Sequence, residues 1–146
     1  MPIIVLVVLF GLLGGIAVGL QGPLSSIITE RLGVMESIFI VHIGGALIIG
    51  VPLLMRGGGK LAQWRDVPWY ALIAGGFGLV IIAAISFAIP RVGIAVTVTL
   101  VVAGQLILSA ALDHFGWLGA TPRPMDVQRI IGMLVLFAGV WLIVRK

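Results

Sequence analysis

Residues 2–29, PIIVLVVLFGLLGGIAVGLQGPLSSIIT, form one apolar run that is interrupted only by Gln21, Ser25 and Ser26. About 20 apolar residues in a helix are enough to cross the hydrocarbon core of a bilayer. The run lacks a leading charged region and is far longer than the roughly 7–15 apolar residues of a secretory signal. We therefore interpret it as a membrane-spanning helix.

Four further apolar runs follow, at residues 37–55, 69–89, 92–112 and 127–144. Each is near 20 residues long, and none alternates apolar and polar residues as a membrane β-strand does. Pro90 is expected to end the third run, with Pro90-Arg91 as a tight hairpin. The sequence predicts an all-α integral membrane protein with five transmembrane helices, in a single domain over residues 1–146.

Composition excludes most other classes of protein. Of the 146 residues, 61% are hydrophobic and 10% are charged, whereas soluble domains carry about 25% charged residues. The basic residues form no run, so nucleic acid is not an expected partner. Without cysteine, paired carboxylates or a nucleophile motif, we expect no enzyme activity, no cofactor and no metal site.

Basic residues are shared almost evenly between the two sides of the membrane. Five spans place the N-terminus and the loops 56–68 and 113–126 on one side of the membrane, called side A, and the remaining loops and the C-terminus on side B. Side A carries five basic residues (Arg56, Lys60, Arg65, Arg123 and Arg129), and side B carries four (Arg31, Arg91, Arg145 and Lys146). Since an excess of Lys and Arg marks the cytoplasmic side, this balance predicts insertion in both orientations. Alternatively, the three basic residues between 56 and 65 fix side A inside the cell.

Dual insertion would let the chain pair with its own inverted copy. Such a pair reproduces the inverted repeats from which many transporters are built, and closed two-fold pairing is the commonest oligomer symmetry. We therefore expect the five helices to pair as an antiparallel homodimer within the lipid bilayer, with access alternating between the two sides.

Neutral polar side chains lie in the middle third of the predicted spans, where no Asp, Glu, Lys or Arg is found. At 1.5 Å per residue, Gln21 lies about 13 Å, His42 about 9 Å and Gln105 about 12 Å from the nearest charged boundary. The lack of a buried carboxylate argues against an acidic proton carrier.

The triplet Gln21-Gly22-Pro23 predicts a helix break. Because Pro23 has no N–H, the carbonyl of Gly19 loses its helical donor, and a broken helix beside an amide is how several transporters hold a substrate. Ser25 follows Gln21 by four residues and shares its face. The alternative is a repaired proline kink in which Gln21 joins two helices.

Two further groups of residues leave alternatives open. Gln105 and Ser109 belong to a polar stripe on the fourth run, which either faces a substrate or forms a helix–helix contact. His42 shares a helical face with Gly45 and Ala46, so it points at protein. It is either a proton-sensitive switch or a packing residue.

The second half of the chain resembles the YdcZ family, five-span bacterial inner-membrane proteins of the drug/metabolite transporter superfamily. The resemblance rests on Trp69-Tyr70 with Gly75-Gly76-x-Gly78, on residues 88–93 (AIPRVG), 101–106 (VVAGQL) and 113–116 (DHFG), and on Arg129-x-x-Gly132 with Gly139-Val140-x-Leu142. Gln21 and Gln105 match the family pattern. Ser25 stands where the family tends to have Asn, and Val41-His42 where it tends to have Ser-Phe. The resemblance implies a multi-pass protein of the bacterial inner (cytoplasmic) membrane that exports small metabolites or drugs.

These observations lead to one main hypothesis and two alternatives. The first is a secondary active transporter that exports a small metabolite or drug-like solute as an antiparallel dual-topology homodimer. Its expected substrate pathway contains Gln21, Ser25, His42, Gln105 and Ser109, next to the helix break at Gly22 and Pro23. The alternatives are a dual-topology channel and a non-transporting membrane subunit that packs against a partner.

Overall fold

The computed structural model describes residues 2–145. The helices are α1 (Ile3–Leu32), α2 (Val34–Met55), α3 (Trp69–Leu72), α4 (Ala74–Val92), α5 (Ile94–Phe115) and α6 (Val127–Val144). Only Ile73 separates α3 from α4, and the two form one candidate span, Trp69–Val92. The described chain thus has five helical segments long and apolar enough to cross a membrane, which confirms the predicted fold class and number of spans.

A single residue, Gly33, separates α1 from α2. Its backbone has φ 113° and ψ 164°, a region that is essentially restricted to glycine. The Gly33 N–H donates to the Thr29 carbonyl at 2.9 Å, and the Gly33 carbonyl accepts from the Ser37 N–H at 3.1 Å. Helical hydrogen bonding therefore continues up to this residue on both sides, which is why the helices extend beyond the expected bounds at 29 and 37. We call this turn the Gly33 elbow.

The same turn occurs at Gly93, between α4 and α5. Gly93 has φ 85° and ψ 167°, and its carbonyl accepts from the Thr97 N–H at 3.2 Å. The helix before it was expected to end at Pro90. That prediction was wrong, because α4 continues to Val92. Pro90 removes only one donor, from the carbonyl of Ser86, and that loss does not stop the helix. We call this turn the Gly93 elbow.

The two elbows belong to an internal repeat with a spacing of 60 residues, from Gly33 to Gly93. Residues 31–37 read RLGVMES and residues 91–97 read RVGIAVT, so that arginine, glycine and a hydroxyl residue recur in register. The buried residues recur at the same spacing, with Gly22, Ser25 and Ser26 on α1 and Ile82, Ile85 and Ser86 on α4. The pairs α1–α2 and α4–α5 are therefore two copies of one helix–elbow–helix motif.

The contacts divide the chain into two units, one up to Arg91 and one from Val92 onward. In the first unit, α1 packs along α2. It also meets α4, because Gly22 leaves room for Ile85, whose Cγ2 lies 3.1 Å from where a Cβ on Gly22 would stand. The loop after α2 contains Gly57, Gly58 and Gly59, all with positive φ, followed by a 3-10 turn at Leu61–Asp66.

In the second unit, α5 packs against α6, and the loop between them is tied to both helices. Gly116 ends α5 in the left-handed conformation with φ 67°. The Arg123 N–H donates to the Asp113 carbonyl at 2.7 Å, and the Met125 N–H donates to His114 Nδ1 at 3.1 Å. The Arg129 N–H donates to the Asp126 carboxylate at 2.8 Å. The last of these bonds caps the N-terminus of α6.

Candidate substrate pathway

The helix α1 is continuous through Gly22 and Pro23. The break predicted there is thus limited to one missing hydrogen bond, since Pro23 cannot donate to the Gly19 carbonyl. The rest of the turn stays helical because the neighbouring carbonyls keep their donors and because Gly22 packs closely against Ile85 of α4. These residues form a close contact between helices rather than an unwound segment.

Two of the expected pathway residues, Gln21 and Ser25, line a groove between α1 and α2. The groove is open and has a volume of about 490 Å³. Ser25 is buried on its inner side, whereas Gln21 is exposed. On the α2 side the wall includes Gly44 and Gly45, whose small size leaves the groove wide. Apart from these two polar side chains, aliphatic side chains dominate the lining, so the groove suits an amphipathic solute.

The carbonyl of Ser25 ties the two walls of this groove together. Ser37, fully buried on α2, donates its hydroxyl to that carbonyl at 2.9 Å. Ser25 is only 1% exposed, and its hydroxyl has no hydrogen-bond partner in the described chain. A buried hydroxyl without a partner costs about 1–3 kcal/mol, so this group is suited to receive a ligand or a water molecule.

His42 faces α4 rather than the groove. Its Nδ1 lies 2.8 Å from the Ile38 carbonyl one turn earlier, and because a carbonyl only accepts, this nitrogen carries the proton. Its Nε2 lies 2.6 Å from where a Cβ on Gly78 would stand, so the ring lies directly over that glycine. In this unit His42 is a packing contact between α2 and α4.

Gln105 and Ser109 both lie exposed on one face of α5, in the second unit. Thr97, earlier on the same helix, differs from them because it is buried and donates its hydroxyl to the Gly93 carbonyl at 2.8 Å. The Gln105 side chain has no hydrogen-bond partner in the described part of its own unit and is exposed there. An uncovered amide in the middle of a span is unfavourable in lipid, so this face requires a protein or aqueous neighbour.

A set of buried and half-buried hydroxyl residues near the Gly33 elbow was not identified as a group by sequence reasoning. Its members are Ser25, Ser26, Thr29, Ser37 and Ser86, and Thr29 Oγ1 donates to Ser86 Oγ at 3.0 Å across α1 and α4. We call these residues the hydroxyl cluster. The 60-residue repeat would have identified part of it, because Ser26 and Ser86 are equivalent positions.

Comparison with known proteins agrees with this architecture. Residues 6–142 match the model of the family described as "Putative inner membrane exporter, YdcZ". The chain belongs to this family. It is also 29% identical over 142 residues to the inner membrane protein YdcZ of Escherichia coli (strain K12), a match that covers 94% of this chain and 93% of that protein. No solved structure matches the chain.

Membership of the YdcZ family confirms the expected family and the expected location in the inner membrane. The protein is a multi-pass inner-membrane protein of a family of exporters, and its general role is that of a membrane transporter. The match extends across both units, so the groove of the first unit and the α5 face of the second both lie within the family region.

Proposed function

We propose that the protein is a secondary active transporter that exports a small polar or amphipathic solute as an antiparallel homodimer. The observation that carries this proposal is the position of the amides of Gln21 and Gln105. Both lie in the apolar part of a span and both are exposed on the described chain. A second copy that covers these faces would place the amides in a shared cavity instead of in lipid.

The glycine face of α1 supports pairing with another helix. The first four glycines of α1 have open space beside them, since an added Cβ would meet nothing within 4 Å at Gly11, Gly14, Gly15 or Gly19. Small residues at this spacing let two helices approach closely in a membrane. None of these four glycines lines the groove that contains Gln21, so the surface for helix contact is distinct from the groove.

The charge distribution supports an inverted partner. Side A carries five basic residues and side B four, a difference too small to direct insertion one way. In an inverted pair the grooves of the two copies have opposite orientations relative to the membrane. Exchange of conformation between the copies would then expose a bound solute first to one side and then to the other.

Substrate contact by Gln21 is tested by flux from proteoliposomes loaded with a panel of labelled polyols, amino acids and aromatic amides. For a solute that shows saturable efflux, we expect Gln21→Ala to reduce kcat/KM about 10-fold, because a lost hydrogen bond in a desolvated site costs about 1–3 kcal/mol. The matched control is Gln63→Ala, an exposed residue of the loop after α2. Unchanged transport by Gln21→Ala would remove this residue from the pathway, and non-saturable flux would favour a channel.

Orientation is tested independently of any substrate. The protein contains no cysteine, so Ala62→Cys introduces a single thiol at an exposed position of the loop after α2. This position is better than Gly58, because Gly58 has a positive φ. A membrane-impermeant maleimide added to intact cells should label about half of the molecules if both orientations occur. Labelling of all molecules or none would show one fixed orientation and would contradict the antiparallel dimer.

A further inference from the structure

The contact between α1 and α4 contains oxygen atoms whose hydrogen-bonding capacity the described chain does not use. Ser26 is 2% exposed, and its hydroxyl has no partner. It follows Gly22 by one helical turn, and Gly22 is where Ile85 approaches α1, so Ser26 lies on the face turned toward α4. Thr29, three residues further on, reaches Ser86 across the same contact at 3.0 Å.

A backbone carbonyl adds to these hydroxyls. Pro90 follows Ser86 by four residues and has no N–H, so the Ser86 carbonyl lacks its α-helical donor. Inside a membrane such a carbonyl must be satisfied by protein, water or a ligand. Ser26, Thr29 and Ser86 thus contribute three hydroxyl oxygens to the contact between α1 and α4, and Ser86 also carries the carbonyl that lacks its helical donor.

The chemistry of this set selects a ligand. Freed backbone carbonyls and neutral oxygens are the groups with which transporters bind Na⁺, whereas Ca²⁺ and Mg²⁺ sites draw on carboxylates. Glu30 lies exposed near the end of α1, with Arg31 beside it. The Arg91 guanidinium lies on the Phe87 carbonyl, next to Ser86, so the oxygen set, and not the charge of the approach, selects the ligand. A small monovalent cation fits this set of neutral oxygens.

We infer that Ser26, Thr29 and Ser86 form a binding site for a dehydrated monovalent cation of the Na⁺ class. The internal repeat gives the site its symmetry, since Ser26 and Ser86 are equivalent residues of the two helix–elbow–helix motifs. The site is separate from Gln21, which lines the groove on the other side of α1. It goes beyond the proposed transport function, and its occupancy can be measured without a known substrate.

The first test is thermal stability of the detergent-purified protein at constant ionic strength, with NaCl replacing choline chloride from 1 to 150 mM. We expect a saturable rise of about 4 °C in the temperature at which half of the protein remains monodisperse. KCl should give a smaller rise. Equal stability in NaCl and choline chloride would overturn the proposal, because a water molecule would then satisfy the same hydroxyls without regard to the salt.

The variant Ser26→Ala separates a cation site from a structural role. Because the hydroxyl has no partner in the described chain, its removal should leave stability in choline chloride unchanged or higher, while the Na⁺-dependent rise is lost. Thr99→Ala is the control, since Thr99 is an exposed hydroxyl residue that bonds only the Ala95 carbonyl of its own helix. A wild-type Na⁺ response in Ser26→Ala would overturn the assignment.

Direct binding of ²²Na⁺ to the purified full chain provides the second measurement. We expect saturable binding by the wild type and by Thr99→Ala, with at least a tenfold loss of affinity in Ser26→Ala and in Ser86→Ala. Loss in Ser86→Ala alone would place the ion elsewhere and contradict the shared site. Absence of solute flux alongside intact Na⁺ binding would contradict the proposed transport function and leave the site standing.

Discussion

The Gly33 elbow and the Gly93 elbow have the same backbone but use their hydroxyl residues differently. At the first, Ser37 reaches across to α1 and donates to the Ser25 carbonyl. At the second, Thr97 turns back and donates to the carbonyl of Gly93, one turn earlier in the chain. The repeated motif therefore fixes the turn, while the hydroxyl at its fourth position after glycine decides whether the two helices are also joined.

The largest effect is expected from replacing the elbow glycines. Gly33→Ala and Gly93→Ala each force a side chain into a backbone region that costs about 1–3 kcal/mol. The two losses should be similar, since the additional contact at Gly33 is with the flexible end of Glu36. The measurement is the temperature at which half of the detergent-purified protein remains monodisperse.

The control for the elbow variants is Gly15→Ala on α1, where an added Cβ meets nothing within 4 Å. This change should leave stability unchanged or slightly higher because alanine favours the helix. A loss confined to Gly33→Ala would show that the two elbows are not equivalent.

A smaller effect is expected at Gly78, which distinguishes the two motifs because Val18 occupies the equivalent position on α1. In Gly78→Ala the new methyl group would lie 2.6 Å from His42 Nε2, so the ring must move. We expect a loss of about 1 kcal/mol, at the low end for overpacking because the exposed His42 ring can give way, measured by the same thermal assay. Gly75→Ala, with open space around it, should show none, and His42→Ala should rescue Gly78→Ala. Failure of this rescue would contradict the contact.

The smallest effect tests the difference between the elbows directly. Ser37→Ala removes a hydrogen bond between two helices, which in membranes contributes about 0.6–1.7 kcal/mol. Thr97→Val removes a bond to a carbonyl that keeps the Thr97 N–H as a donor at 3.2 Å, so its effect should be near zero. Steric trapping in bicelles has the resolution for this comparison, and equal losses would count against distinct roles for the two hydroxyls.

Sequence reasoning predicted the five spans because the length of an apolar run reports directly on the thickness of the bilayer. It placed the helix ends at residues 29 and 37, whereas the structure leaves only Gly33 outside a helix. The reason is physical, since hydropathy marks where the chain leaves the lipid, and a helix continues in the interface where Glu30 and Glu36 are tolerated. The 60-residue repeat would have located both elbows, because Gly33 and Gly93 are equivalent positions.

The candidate site was less accessible to sequence reasoning than the fold. A single run shows that Gln21 and Ser25 share a helical face, and the groove between α1 and α2 contains both. The contact of His42 with Gly78 joins residues that are distant in the chain, and no periodicity within one helix reports on such a contact. That Gln105 and Ser109 belong to the same pathway stays a prediction.

The tied loop between α5 and α6 has a mechanical consequence. Because Asp113, His114 and Asp126 each accept a backbone hydrogen bond close to a helix end, the two helices are clamped at their shared end. We expect α5 and α6 to move together as one rigid unit. The loop at Gly57, Gly58 and Gly59 is expected to accommodate movement between α2 and α3.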